Sequence, residues 1–371
     1  METAVETADD GAEPLVGMQT MSQIRQRIRQ DLPSTAFEPT PIRALLCIPL
    51  NLVVIASFVL VARNHLPWYA LLGISLVLGQ VYATLGFWVH DVMHGSVFRS
   101  RRLQDAISYF GLYPFLLSPL TWRVWHVQAH HGNTQSARDP DAGVTVEEYR
   151  RTPIARVYLT FAPSSRNALG VLLFYPFWFT LHGQEILWFS HLHKDWEIES
   201  YRFDKRRAML QTFGVFAFWL AVCAYVGPFN SIFVVLLPML FGNMILLAFI
   251  STQHTFLPRS AGTRDGHSLE NTVSVRVPWI FEKLNLNFNH HVEHHLFPSM
   301  NYSKLPLVRA WLRQNFPDEY VQPTLWAAVR TFISTPRVYA DRSHLCFPED
   351  PEKSRVDTLP IRRRLIAGSM R

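Results

Sequence analysis

Four stretches of the chain run without a single charged side chain, at residues 44–62, 68–89, 209–227 and 231–250. Each is long enough to cross a hydrocarbon layer about 30 Å thick, so the pattern predicts four transmembrane helices. They fall into two pairs, because only residues 63–67 separate the first two and residues 228–230 the second two. Each pair is expected to fold as a helical hairpin. Two shorter uncharged stretches, 107–120 and 168–181, contain prolines and fall below spanning length, so they are expected to be re-entrant or interfacial.

Two crossings per hairpin return the chain to the side from which it started. The N-terminal segment, residues 90–208 and everything after 250 are therefore expected to share one aqueous face. Of the 35 Lys and Arg residues, only Arg63 lies in a loop on the far side. Basic loops mark the cytosolic side, so the shared face and both termini are expected in the cytosol. An apolar fraction of 49% against 17% charged residues fits an integral membrane protein better than two soluble domains. The net charge of +6 accompanies no nucleic-acid motif, and attraction to anionic lipid headgroups explains it, so no nucleic-acid partner is expected. The acidic start, with Glu2, Glu6, Asp9, Asp10 and Glu13, is unlike a secretory signal and reads as a disordered lead-in. Residues 18–31 read as an amphipathic surface helix ended by Pro33, and the Pro-rich, charged stretch after Pro336 as a poorly structured tail. The expected division is 1–43 as the N-terminal segment, 44–335 as the membrane unit and 336–371 as the basic tail.

Against this apolar background stand three histidine clusters. They are His90-Asp-Val-Met-His94, His126-Val-Gln-Ala-His130-His131 and His290-His291-Val-Glu-His294-His295. At helical pitch, positions i, i+3 and i+4 share a face, so each cluster can turn two or three imidazoles toward one point. In the third, either His291 or His290 can pair with His294, and spacing leaves both open. Counting one of them, eight imidazoles are too many for one ion and indicate a dinuclear redox centre, with two irons the first expectation. His254, four residues past the last span, emerges at the depth of His90 and could supply a ninth nitrogen. His182, His191 and His193 are expected to line or pack, while His65, His267 and His344 are set aside. Asp139 and Asp141 are placed to accept a second ring N–H from the histidines, or else to shape the turn at Pro140. Glu293 points off the ligating face and reads as a neighbour of the ligands or a surface charge. Cys47, Cys223 and Cys346 form no CxxC pair, so sulfur is not expected to hold the metal.

The three boxes, their order, their relation to two hairpins and the run His291-Val-Glu-His-His-Leu-Phe-Pro298 resemble the membrane fatty acid desaturases over roughly residues 33–320. The resemblance implies an all-α membrane fold with a cytosolic histidine-rich diiron domain. It implies His90, His94, His126, His130, His131, His254, His291, His294 and His295 as ligands of two iron ions, and so favours His291 over His290. It also implies an O2-dependent oxidoreductase that removes hydrogens from adjacent carbons of an acyl lipid or acyl thioester. Two electrons would come from a ferredoxin or a b-type cytochrome with its reductase, since no His-Pro-Gly-Gly heme stretch or Cys cluster occurs. The segment 32–44 is similar to the entry of desaturases that act well along the acyl chain. The chain departs from those enzymes in two places: Gly95 stands where a histidine often follows His94, and the second box is one residue longer. Hydroxylases, acetylenases and carotenoid ketolases share the histidine pattern and remain the alternative. A membrane metal transporter or sensor would require ionisable groups inside the spans, which hold only scattered polar residues such as Asn51, Gln80, Gln211 and Asn243. A soluble-type metal hydrolase lacks its accompanying motifs.

Overall fold

The structure is a computed structural model that describes residues 19–260 and 267–369. The acidic lead-in expected before the first helix lies outside the described residues. Four helices are long and apolar enough to cross a membrane, at Pro41–Arg63, Trp68–Met93, Lys205–Val226 and Pro228–Gln253. They form the two expected hairpins, and few strands accompany a mainly helical chain. The second and fourth spans are the inner pair, with 56% and 44% of their apolar windows buried against 17% and 22% for the first and third. Ser75 of the second span donates to the Phe233 carbonyl at 2.5 Å, which ties the inner spans together. Such a bond satisfies a hydroxyl that lipid could not.

Three of the four polar side chains named above, Asn51, Gln80 and Asn243, are used in the same way. Asn51 donates to the Phe110 carbonyl, Gln80 to Asn285, and Asn243 accepts from Thr180. They join elements together, so they supply no ion path of the kind a transporter needs.

The two shorter apolar stretches differ in outcome. The stretch 107–120 is divided among the end of the helix Arg101–Leu112, a Pro-containing turn at Tyr113–Phe115 and the start of the helix Pro119–Trp122. The other becomes the longer helix Val171–Phe189, which packs along the fourth span and leaves Leu172, Leu173 and Phe177 exposed on its outer face. Its second half carries His182, Gln184 and Glu185, and these keep it below the hydropathy of a span.

At the N-terminal side, Met21–Asp31 forms a helix started by a capping box of Thr20 and Gln23. Ile24 and Ile28 are buried in a satellite core with Val308 and Leu312. Arg25 donates to the carbonyls of Leu296 and His295, closing the end of the third histidine box. The stretch after Pro336 is not loose. It forms a three-stranded antiparallel sheet, Val338–Tyr339, His344–Cys346 and Val356–Asp357, followed by the helix Thr358–Ser369. The physical reason is burial in short doses: Val338, Tyr339, Leu345 and Cys346 are buried, and the Tyr339 hydroxyl bonds the carbonyls of Thr255 and Leu257. Apolar pairs this short carry no readable periodicity.

Candidate metal centre

The first box closes the second span. The second span ends at Met93, and Gly95, with φ of +82°, supplies the left-handed turn that terminates it. His90 and His94 are thereby held on the last turn. Asp91 does not pair with His90; its carboxylate accepts from Ser96, Asn301 and the Tyr302 N–H, which pins the end of the span to the segment after the third box.

The second box is a π-helix, Arg123–His130, rather than the α-helix expected. The distinction decides the ligand set. In an α-helix, His126 and His131 would stand about 140° apart around the axis. The wider i→i+5 winding returns the fifth residue nearly over the first. The two Nε2 atoms are 3.2 Å apart as a result. Trp122 stacks on the His126 ring at a centroid distance of 4.6 Å and fixes its plane.

All nine histidines of the sequence reading come together, in two sets. His90, His94, His126, His131 and His294 form one, and His130, His254, His291 and His295 the other, with ligand atoms in each set within 4.8 Å of one another. Nε2 of His294 lies 3.1 Å from that of His131, and Nε2 of His291 lies 2.9 Å from His254 and 3.1 Å from His295. Nitrogens about 2.1 Å from a shared ion stand about 3.0 Å apart when their bonds meet at right angles. His90 Nε2 and His94 Nε2 are buried without a hydrogen-bond partner. Such orphaned acceptors fit a metal centre, and the residues present therefore suit two ions.

Burial, followed by repulsion between neighbouring rings, pushes His126, His131, His291, His294 and His295 well below the usual imidazole range, and His254 down to about 3. The rings are neutral at neutral pH, which is the form that binds metal. Partners on the outer nitrogens set the tautomers. His130 Nδ1 is 2.9 Å from Asp139 and 3.4 Å from Asp141, His254 Nδ1 is 3.1 Å from the Asn271 carbonyl, and His295 Nδ1 is 3.4 Å from Thr134. Each such bond leaves Nε2 turned toward the cluster.

His290 is turned elsewhere. Its Nε2 meets Glu282 at 2.7 Å, so His291 is the member of the pair that joins the set. Glu293 is fully buried and is no surface charge; it accepts from Ser274 at 2.5 Å and from the Tyr320 hydroxyl. His65, His267 and His344 lie outside both sets, as the sequence indicated.

Two adjoining cavities border the histidines. One is lined by Phe87, Trp122, Phe179, Leu246 and Phe288 beside His90, His126 and His291. The other is larger, has a polar wall and shares Trp125, Asp141, Phe179, Ile250 and His254 with the first. Its polar wall was legible only as interfacial packing: His182 Nδ1 contacts Glu185 at 2.7 Å, His193 Nε2 contacts Glu185 at 2.8 Å, and His182 Nε2 lies 3.3 Å from Asp141. Burial opposes charge on His182, but hydrogen bonds to Asp141 and Glu185 outweigh it and push the imidazole up to about 10. Burial likewise works against ionised Glu185, yet His182 and His193 hold it down at about 2. The only sequence signal for this group is the i, i+3 spacing of His182 and Glu185.

The sequence model of the fatty acid desaturase family matches residues 66–325, more than half of the chain. Among curated proteins, the chain is 25% identical to the sn-1 acyl-lipid omega-3 desaturase (ferredoxin) of Synechocystis sp. over 306 residues, covering 76% of this chain and 77% of that protein. It is 24% identical to the chloroplastic omega-6 fatty acid desaturase of Glycine max, with 85% of this chain and 73% of the relative covered. It is 25% identical to the acyl-lipid (7-3)-desaturase of Rebecca salina, over 85% and 74% of the two chains. Four apolar spans, three converging boxes and a family match that takes in all three boxes and the last three spans lead to one conclusion: the chain belongs to the fatty acid desaturase family, and it is an oxidoreductase.

Proposed function

We propose that the protein removes two hydrogens from adjacent carbons of a fatty acyl chain carried on a membrane lipid, at two iron ions. The observation that carries this reading is the convergence of nine imidazoles, in sets of five and four, beside an apolar aromatic cavity. His90, His94, His126, His131 and His294 would hold one ion, and His130, His254, His291 and His295 the other. When bound, the irons supply oxidation of an unactivated methylene with dioxygen and two electrons, chemistry that side chains cannot perform.

The chain's own residues do the rest. Phe87, Trp122, Phe179, Leu246 and Phe288 offer the acyl chain a dry bed next to the histidines and exclude water. Asp139 holds His130, and the Asn271 carbonyl holds His254, in the tautomer that presents Nε2 inward. Two relatives bear acyl-lipid in their names, which supports a lipid-borne acyl group over a free thioester. The Synechocystis relative's name carries ferredoxin, and a ferredoxin is the proposed donor here, with a b-type cytochrome and its reductase as the other candidate. The bias of Lys and Arg to the histidine face supports a cytosolic orientation of the boxes and of both ends of the chain. Residues 44–335 would constitute the desaturase unit.

The test joins metal analysis of the detergent-purified protein to gas chromatography and mass spectrometry of acyl chains from cells that express it. About two irons per chain and a new acyl chain two mass units lighter are expected. An added oxygen instead would assign a hydroxylase, and zinc in place of iron would overturn the diiron reading.

A further inference from the structure

We propose that a cavity remote from the histidines is a binding site for a phosphate-type oxyanion, built around the buried guanidinium of Arg337. The cavity, about 350 Å³, lies between the helix Pro153–Phe161, the loop that follows it and the C-terminal sheet. Arg156, Arg166, Arg337, Thr160, Ser164 and Glu349 line it.

Arg337 is only 3% exposed. A buried charge normally has a carboxylate partner, because desolvation costs several kcal/mol otherwise. Among the described residues no carboxylate meets this one. Nε and Nη2 donate to the carbonyls of Phe332 and Thr335 at the end of the helix Leu325–Ser334, and the guanidinium lies 4.1 Å over the Phe332 ring. Those contacts account for two nitrogens. The third, Nη1, is buried and has no partner. Burial draws the guanidinium down to about 10, against the opposing pull of Tyr158, Tyr339 and Tyr175.

The neighbouring cations divide into two kinds. Arg166 is spent on Asp350 at 3.0 Å and on Glu349 at 3.8 Å. Arg156 is exposed and bonds the carbonyls of Tyr149 and Arg150, and among the described residues no carboxylate pairs with it or with Arg337. Two such guanidiniums, with Ser164 in the same lining, match the forked donors and charge that a phosphate oxyanion takes. Asn167, which lines the cavity, precedes by two residues Leu169, which is 76% exposed, and the Val171–Phe189 helix follows with Leu172 and Leu173 exposed. An anionic lipid headgroup and free phosphate share the required chemistry.

The thermal midpoint of the full-length protein in neutral detergent, titrated with inorganic phosphate and with dihexanoyl phosphatidylglycerol, tests the site. Saturable stabilisation is expected, with an affinity about tenfold weaker in Arg156→Gln, whose side chain is exposed and whose loss leaves the fold intact. Arg337→Gln should abolish it where that variant folds. A response to the lipid alone assigns a headgroup site, and an equal response to phosphate assigns a free-anion site; both support the proposal. No saturable response to either ligand, or an equal response in wild type and Arg156→Gln, overturns it.

Discussion

Asp139→Asn is the sharpest test of how the centre is held. Asp139 is 2% exposed, and its Oδ1 meets His130 Nδ1 and the Asp141 N–H, both at 2.9 Å, while Oδ2 accepts the Gln135 N–H at 2.7 Å. Asparagine fits the same space but keeps one acceptor of two. With its oxygen on His130, the new NH2 faces the N–H of Gln135, which is fully buried and held at a positive φ of 60°. A buried donor left without an acceptor costs about 1–3 kcal/mol of stability. With the amide reversed, a donor faces His130 Nδ1, and the ring must take the other tautomer and lose its inward acceptor. Removal of such an outer partner weakens metal binding about 10- to 100-fold, or about 1.4–3 kcal/mol. Iron affinity measured by competition with a chelator, alongside the thermal midpoint, reads both terms. Wild-type affinity and midpoint in Asp139→Asn would refute the role given to this carboxylate.

Other expectations are as direct. His130→Ala should remove iron and desaturation together while membrane insertion is kept, since the spans do not depend on the ring; retained activity would exclude His130 from the ligand set. Gly111→Ala places a methyl 2.3 Å from Val89 Cγ2 and 2.8 Å from the Leu85 carbonyl, and overpacking against that backbone should cost about 1–3 kcal/mol, read as a lower unfolding temperature. For His182, raised from 6.5 to about 10, the stabilisation is complete below pH 6.5 and is lost as pH rises toward 10. At about 1.4 kcal/mol per pH unit its upper bound is about 5 kcal/mol. The alkaline fall in unfolding midpoint should shrink in Glu185→Gln, and an unchanged profile would contradict the pairing.

The spans and the three histidine boxes were legible because each rests on a strong local signal, whereas His254 stands alone in the sequence and was marked only by its depth beside His90. An uncharged run of spanning length has few other uses, and imidazoles crowded at helical spacing repel unless something binds them. The choice between His290 and His291 was not local: it depends on Glu282, eight residues earlier, drawing His290 away. The burial of Glu293 was equally hidden, since its partners Ser274 and Tyr320 stand far off along the chain. Hydropathy also understated the Val171–Phe189 helix, because the polar groups that lower its score are buried against one another and against Asp141. The ordered C-terminal sheet failed to register because strands of two or three residues are specified by long-range contacts, such as Tyr339 with Thr255 and Leu257, and not by pattern.

The π-helical winding of the second box bears on how such centres diverge. A π turn is an α-helix that has taken in one extra residue, and the insertion is absorbed within a turn or so. His126 can therefore keep its place relative to His131 although one more residue lies between them than the shorter box would have. Loss of Val127, Gln128 or Ala129 would return the segment to α winding with the two ends of the box again on one face. A change of one residue in the length of this box can thus leave both of its ends on one face, with the change in winding taking up the difference.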